Sequence, residues 1–261
     1  MVKIGSPLFI LREECAKSLP GVLERIAEIG FDGVEFVSLF GYKVSEVKSK
    51  LDSCGLKAIG DHVSFDEFSK NTQKVIDDHK ELGCKYITLG SPGADGFSGS
   101  PNYKHTLETI HRIGEAMNES GMKLLYHNHA EELRQIVDGK AVLEHLFDDT
   151  DPDLLQCELD LGWIGIGGGD PIYFYKKYGE RCPVVHYKDY MLTDDLSVKD
   201  ERGFLFRPTG YGVMNFSLLY DMSTAHSPDW YIMDHDLAYS RDSYFELEIS
   251  LDYFKNLMKT F

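Results

Sequence analysis

The chain has 261 residues, 43% of them hydrophobic and 27% charged, so it is long enough to bury a large core within one domain. Lysine and arginine number 27 against 43 aspartate and glutamate, and the formal net charge of −16 argues against a nucleic-acid or anionic-membrane partner. No run of about 20 apolar residues occurs, and five widely spaced cysteines without a CxxC pattern predict free thiols in the reducing cytoplasm.

Strand-like apolar runs alternate with helical patterns along the whole chain. The predicted strands are residues 2–10, 33–38, 57–63, 85–91, 123–129, 155–163, 184–190 and 230–236. Between two of them, Asp170 followed by Pro171 predicts the start of a helix that ends at Gly179. This order predicts an α/β protein of the (βα)₈ barrel type, a single domain over residues 1–261, with its functional groups at the carboxyl ends of the strands.

Four predicted strands in the second half of the chain end in a pair of polar residues two positions apart. The pairs are His127 and His129, Glu158 and Asp160, His186 and Lys188, and Asp234 and Asp236. Residues two positions apart share one face of a strand, so each pair is expected to project together. Imidazole, carboxylate and amine groups gathered in one pocket are typical of a divalent-metal site with acid and base groups beside it.

The histidine pair has two interpretations. A single buried histidine is more often hydrogen-bonded to its neighbours than functional, but two on one strand face favour a functional role. His127 and His129 each offer a neutral nitrogen for a metal ion or for proton transfer. Glu132, a short loop away, is a candidate to return a carboxylate to the same centre.

The acidic pair predicts a nearby cation. Two unpaired carboxylates on an apolar strand would cost several kcal/mol or raise their pKa values strongly. That cation is either a metal ion, with Asp160 nearer to it than Glu158, or the ammonium of Lys188 in a structural ion pair. Lys188 is otherwise expected to polarise a carbonyl or alkoxide oxygen. Asp234 is expected as a metal ligand, with a solvated carboxylate at the strand end as the alternative.

Further candidates lie at other strand ends. Glu35 and His62 are expected to complete the pocket wall, and Trp163 to offer a stacking platform for a sugar ring. Residues 191–215 are predicted to form a loop over the site. Within that loop Arg202 and Arg207 either recognise an anionic group or belong to the solvated surface.

Three strings of sequence, in this order and on these strands, resemble the sugar phosphate isomerase/epimerase superfamily of xylose isomerase-like TIM barrels across the whole chain. They are Tyr126-His127-Asn128-His129, Glu158-Leu159-Asp160-Leu161-Gly162-Trp163 and His186-Tyr187-Lys188-Asp189. The resemblance implies a TIM barrel that binds Mn²⁺, Mg²⁺, Co²⁺ or Zn²⁺ through Asp160, His186 and Asp234. The strand-five ligand is either His127 or Glu132, because many relatives have a glutamate at the position of His127.

The resemblance also implies an enzyme that acts on a sugar or cyclitol. We expect it to remove a proton next to a carbonyl, with Lys188 stabilising the oxyanion and His129 or Asp236 taking the proton. The expected outcome is sugar isomerisation or epimerisation. The alternatives are an inosose-type dehydratase, a lyase that cleaves 3-keto-glycosides including C-glycosides, or a metal-free binding or regulatory barrel. A homo-oligomer and a partner subunit both remain open.

Overall fold

The structure is a computed structural model that describes residues 2–193, 203–239 and 241–261. Within these residues the predicted (βα)₈ barrel is confirmed, because parallel strands close in the order β1-β8-β7-β6-β5-β4-β3-β2. The barrel strands β1 to β8 are Ile4–Pro7, Gly33–Phe36, Lys57–Val63, Tyr86–Leu89, Lys123–His127, Gln156–Asp160, Val184–His186 and Trp230–Ile232.

Helices surround this barrel. In the described part of the chain α1 to α11 are Arg12–Ile29, Val44–Cys54, Phe65–Lys70, Thr72–Leu82, Tyr103–Glu119, Glu131–Arg134, Val142–Asp148, Leu161–Ile166, Pro171–Tyr178, Phe216–Thr224 and Ser243–Met258. Two antiparallel hairpins are added, one from Ile136–Val137 with Lys140–Ala141 and one from Asp189–Leu192 with Phe204–Arg207. None of the helices in these residues has the length and apolar character needed to cross a bilayer.

The helix predicted after Asp170 is confirmed as α9, since the Asp170 carboxylate accepts a hydrogen bond from Ile172 N at 2.9 Å and Gly179 follows the last residue. Most predicted strands were too long at their carboxyl ends. Strand β5 ends at His127 and β8 at Ile232, two and four residues before the predicted limits of 129 and 236. Beyond β5 the backbone leaves the sheet and bonds to a side chain instead. His129 N, for example, donates to Glu132 Oε2 at 3.0 Å.

The interior of the barrel changes from apolar to polar along its axis. Its apolar floor consists of Ile59, Tyr86, Leu125, Val184, Trp230 and Ile232. Two positions further along four of these strands stand Thr88, His127, His186 and Asp234, all buried. Because inward-facing residues alternate with outward-facing ones, this spacing places the polar groups directly above the floor, at the carboxyl end of the barrel.

Candidate functional site

A cavity of about 280 Å³ opens at the carboxyl ends of the barrel strands. Predicted site residues form most of its wall, namely Glu35, His62, His127, His129, His186, Lys188, Asp234 and Asp236. Pro7, Phe9 and Val37 complete the lining. Three of the four polar pairs predicted from the sequence therefore line one pocket.

Glu158 lies below the cavity and is the common partner of its histidines. Its Oε1 lies 2.9 Å from His62 Nε2, 3.2 Å from His127 Nδ1 and 3.3 Å from His186 Nε2, while Oε2 accepts a hydrogen bond from Thr88 Oγ1 at 2.7 Å. Its side chain is 1% exposed. The structural ion pair with Lys188, one of the two sequence interpretations for Glu158, is not formed because the histidines take its place.

Lys188 pairs instead with the three aspartates of the site. Its Nζ lies 3.0 Å from Asp160 Oδ2, 2.8 Å from Asp234 Oδ2 and 2.8 Å from Asp236 Oδ1. The ammonium also stands 4.9 Å from the centre of the Trp163 ring. Burial would lower the pKa of Lys188, but the three carboxylates outweigh it and raise the pKa above its ordinary value. Lys188 therefore keeps its positive charge.

Asp160, at the end of β6, contacts both Lys188 and the start of a helix. Its Oδ1 accepts a hydrogen bond from Trp163 N at 2.8 Å, so the same carboxylate that faces Lys188 caps the start of α8. Burial, opposed by the Lys188 ammonium and reinforced by Asp234, raises the pKa of Asp160 to about 7. Asp160 is accordingly the carboxyl group of the site that takes up a proton near neutral pH.

The four histidines of the pocket divide into two kinds. Burial would lower the pKa of His62, but the carboxylates of Glu35 and Glu158 outweigh it and raise the pKa to about 10. Burial, helped by the positive charge of Lys188, lowers the pKa of His129 to about 3. His127 has its pKa lowered mainly by burial, whereas the acidic neighbours of His186 overcome burial and raise its pKa. His127 and His129 are therefore neutral at pH 7.

The donor atoms of the pocket fit a divalent metal ion. Nitrogen and carboxylate oxygen atoms lie within 4.8 Å of one another in two overlapping groups, His62, His127, Glu158, His186 and His127, Asp160, His186, Asp234. Among the described residues, the buried site atoms Glu35 Oε1, His62 Nε2, Asp160 Oδ2 and His186 Nε2 have no hydrogen-bond partner, although Asp160 Oδ2 lies 3.0 Å from Lys188 Nζ. Imidazole nitrogen with carboxylate oxygen is a donor set that first-row divalent metals accept.

Besides Glu158 and Asp160, three described candidate residues lie outside the cavity wall, namely Glu132, Trp163 and Arg207. Both oxygens of Glu132 are occupied, one by Tyr126 OH at 2.7 Å and one by His129 N, so it supports the loop after β5. Trp163 is 2% exposed and packs beneath Lys188, so it does not offer its face to the cavity. Arg207 lies opposite Asp189 in the backbone register of the antiparallel hairpin, and Arg202 lies outside the described residues.

In the segment predicted as a loop over the site, the described residues Phe204–Arg207 form a strand that pairs with Asp189–Leu192 and contributes residues not predicted for the site. Phe204 and Phe206 pack edge-on against Trp163 with ring centres 5.7 and 5.4 Å away, and Lys188 Nζ lies 5.5 Å from the Phe206 ring centre. The fully buried Asp189 accepts hydrogen bonds from backbone N–H groups. The alternation Phe204-Leu205-Phe206 was the available sequence signal, since it is typical of a strand with one buried face.

Comparison with known proteins agrees with this fold. Residues 23–234 match the family model described as xylose isomerase-like TIM barrel. An inosose dehydratase from Geobacillus kaustophilus (strain HTA426) is 27% identical over 191 residues, which cover 64% of this chain but only 61% of that protein. An inosose dehydratase from Bacillus cereus (strain AH820) is 24% identical over 241 residues, 81% of this chain and 80% of that protein.

The fold has close counterparts among solved structures. A sugar phosphate isomerase/epimerase from Parabacteroides distasonis ATCC 8503 superimposes with a TM-score of 0.80 at 22% identity, covering 97% of this chain and 93% of that chain. At this identity the likeness concerns the fold. The two sequence relatives carry the name of a dehydratase, so they favour the alternative reaction over the isomerisation expected first.

Proposed function

The chain belongs to the xylose isomerase-like TIM barrel family, and from this premise we propose that it dehydrates an uncharged polyhydroxylated ketone of the inosose kind with the help of a divalent metal ion. The observation that carries the proposal is that imidazole and carboxylate metal donors, the neutral His129 and the charged Lys188 meet at a single cavity. The relatives named inosose dehydratase support the choice of reaction.

The lining of the cavity supports an uncharged substrate. Lys188 is the one lysine or arginine among the described residues that line it, and three carboxylates already surround its ammonium. A phosphate group would therefore meet carboxylates without a free cationic partner. The volume of about 280 Å³ is at the small end for ligand pockets, which suits a single ring.

The metal ion, held by histidine and carboxylate donors of the two groups, would act as a Lewis acid toward substrate oxygen. Lys188 places a permanent positive charge at the same cavity, where it stabilises a negative charge that develops on a substrate oxygen. Its position is fixed, because the three aspartates and the Trp163 ring hold it from four sides. This arrangement favours an enolate over the ketone from which it forms.

His129 is the proposed base. It lines the cavity, its neutral ring lies 5.6 Å from Trp163, and its backbone is held by Glu132. Proton transfer from the carbon next to the carbonyl to His129 leaves the electron pair of the C–H bond in an enolate. Return of those electrons forms a carbon–carbon double bond as the neighbouring C–O bond breaks. The departing hydroxide takes the proton from His129 and leaves as water, which restores the neutral imidazole.

The test follows the fate of the proton and of the hydroxyl group. The metal-loaded protein is incubated in heavy water with a cyclitol ketone, free ketohexoses and their phosphate esters, and products are analysed by mass spectrometry and NMR. We expect loss of one water from the cyclitol ketone and little turnover of the phosphates. Deuterium uptake with retention of every oxygen would establish an isomerase or epimerase instead, and aglycone release from 3-keto-glycosides would establish that lyase. If no substrate exchanged deuterium or lost water, with or without metal, the chain would instead be a binding or regulatory barrel without this activity.

A further inference from the structure

The Lys188 ammonium lies where the metal ion was predicted from sequence. The predicted ligands Asp160 and Asp234 each direct one oxygen, Oδ2, at Lys188 Nζ, at 3.0 and 2.8 Å. The other oxygen of Asp160 caps α8. A divalent ion between these two carboxylates would stand against the ammonium in a buried site, where like charges repel strongly. Lysine therefore already supplies the positive charge that these aspartates require.

A second set of donors, toward β2 and β3, contains no lysine or arginine and is built from two histidines and two glutamates. His62 Nε2 lies 3.1 Å from Glu35 Oε2 and 2.9 Å from Glu158 Oε1. His186 Nε2 lies 3.2 and 3.3 Å from the same two oxygens. Each of the two nitrogens thus lies within 3.3 Å of each of the two oxygens. Ligands of a tetrahedral ion with bonds of about 2.0–2.1 Å stand roughly 3.3 Å from one another, close to this spacing.

The contacts between these atoms are not ordinary hydrogen bonds. Although each nitrogen lies within 3.3 Å of two carboxylate oxygens, neither Nε2 has a hydrogen bond within the described residues. The nitrogens therefore point at neither oxygen, as donors that share a central ion do. Glu35 Oε1 is also buried without a partner, which leaves a second oxygen of that carboxylate available.

Neighbouring groups prepare His186 for this role. Its Nδ1 lies 3.0 Å from Asp234 Oδ2, and a donated N–H there leaves the lone pair of Nε2 free for a metal. Thr88 holds the far oxygen of Glu158 at 2.7 Å, which directs Oε1 at the histidines. Metal-binding histidines are commonly fixed in this way by a carboxylate behind them.

We propose that the chain binds its divalent metal ion through Glu35, His62, Glu158 and His186, while Lys188 occupies the position between Asp160 and Asp234. The inference deepens the proposed function, on which it rests, by naming the metal position. Two carboxylates balance the charge of a divalent ion, and the ion displaces the Nε2 protons of His62 and His186 when it binds. Asp234 and Thr88 become positioning residues behind the ligands, and Asp160 belongs to the site of Lys188.

Adjacent carboxylates on β6 allow a matched test. Glu158→Gln and Asp160→Asn both change a fully buried carboxylate of the same strand into an amide, but only the first removes a proposed ligand. His62→Gln serves as a second ligand variant at a side chain that is 23% exposed and thus more tolerant of change. The full chain is stripped with chelator and titrated with Mn²⁺ and Co²⁺, using electron paramagnetic resonance and visible absorption, and circular dichroism verifies that each variant is folded.

We expect Glu158→Gln and His62→Gln to weaken metal binding at least 100-fold, and Asp160→Asn to change it no more than a few-fold. The Co²⁺ spectrum of Asp160→Asn should match that of the unchanged protein. The reverse ranking would overturn the proposed position. If that ranking accompanied metal-dependent exchange of substrate deuterium, the proposed function would stand without the inference. If the unchanged protein bound no metal, the inference and the metal dependence of the reaction would fail together.

Discussion

Lys188 shows how one residue sets the chemistry of the pocket. Its ammonium is 1% exposed and lies against Asp160, Asp234 and Asp236, so removal of the charge would leave buried carboxylates without their cation. The sequence indicated that this lysine faces the same pocket as the polar pairs. It did not indicate which carboxylate the lysine contacts, because that depends on how β6, β7 and β8 approach one another in space.

We expect Lys188→Met to lower the free energy of unfolding by about 3–5 kcal/mol, the usual cost of removing one partner from a buried ion pair. Urea unfolding at neutral pH measures the change. Lys177→Met is the matched control, because Lys177 pairs with Glu144 and Asp148 at 3.0 and 3.2 Å but is 30% exposed. Its loss should be below about 1 kcal/mol. Equal losses for the two variants would contradict the account of Lys188.

His79 supplies a pH-dependent contribution to stability outside the pocket. Its Nε2 lies 2.9 Å from Asp61 Oδ2. Burial would lower the pKa of His79, but the hydrogen bond to Asp61 outweighs it and raises the pKa above the ordinary 6.5. The folded protein therefore holds this proton more tightly than the unfolded chain. The stabilisation is complete below pH 6.5 and is lost as the pH rises through the raised pKa.

We expect the stability difference between the unchanged protein and His79→Gln to shrink as the pH rises from below 6.5 into the mildly alkaline range. Urea unfolding at a series of pH values gives this difference. His105→Gln, at an exposed position of α5, should show no such trend. A difference that stayed constant or grew with pH would rule out the charged pair of His79 and Asp61.

At the scale of elements, one carboxylate joins the hairpin after β7 to the turn that follows it. Asp189 Oδ2 accepts from Gly210 N at 3.0 Å and Gly212 N at 2.7 Å, while Oδ1 accepts from Tyr190 N at 2.9 Å and Met214 N at 3.1 Å. A methyl group on Gly212 would come within 3.0 Å of Asp189. The turn at residues 210–214 is therefore built around the Asp189 side chain. We infer that this turn keeps the hairpin packed against Trp163.

An amide at this position offers one acceptor oxygen where the carboxylate offers two. We expect Asp189→Asn to cost about 1–3 kcal/mol, because two buried N–H groups lose their acceptor. Hydrogen exchange measured by mass spectrometry should show faster exchange in residues 204–214. Asp170→Asn is the control, since asparagine caps a helix about as well as aspartate. If residues 204–214 exchanged hydrogen no faster in Asp189→Asn than in the unchanged protein, the role of the Asp189 carboxylate in holding this turn would be contradicted.

Element order and barrel closure followed from the alternation of strand and helix patterns, but the strand ends did not. Apolar character continues past the last residue of β7, where Tyr187 and Tyr190 are buried in the described structure. Periodicity alone cannot distinguish a buried strand from a buried turn. The hairpin was missed for a related reason, because its aromatic residues pack against Trp163, a neighbour that only the folded chain brings near.

At the scale of the whole molecule, the barrel gathers acidic groups at its carboxyl end. Glu35, Glu158, Asp160 and Asp234 are each at most 4% exposed. The sequence motifs correctly identified which strands contribute to this layer. The distinction between two metal positions within it required distances, since Glu35 and His62 carry no motif that separates a ligand from a wall residue.

A metal ion that binds only the folded protein must stabilise it. At a free Mn²⁺ concentration 100 times the dissociation constant we expect the free energy of unfolding to rise by about 2.7 kcal/mol, and chelator to reverse the gain. Urea unfolding with and without Mn²⁺ tests this, with Glu158→Gln as the control that should gain no more than about 0.4 kcal/mol. A gain of the same size in Glu158→Gln would show that the ion binds elsewhere.

The most direct test of the metal position is anomalous X-ray diffraction from crystals of the full chain grown with Mn²⁺. We expect one strong anomalous peak within bonding distance of His62 Nε2, His186 Nε2 and carboxylate oxygens of Glu35 and Glu158, with Lys188 still between Asp160 and Asp234. A peak between Asp160 and Asp234 with the ammonium displaced would contradict it, as would the lack of any peak in the pocket.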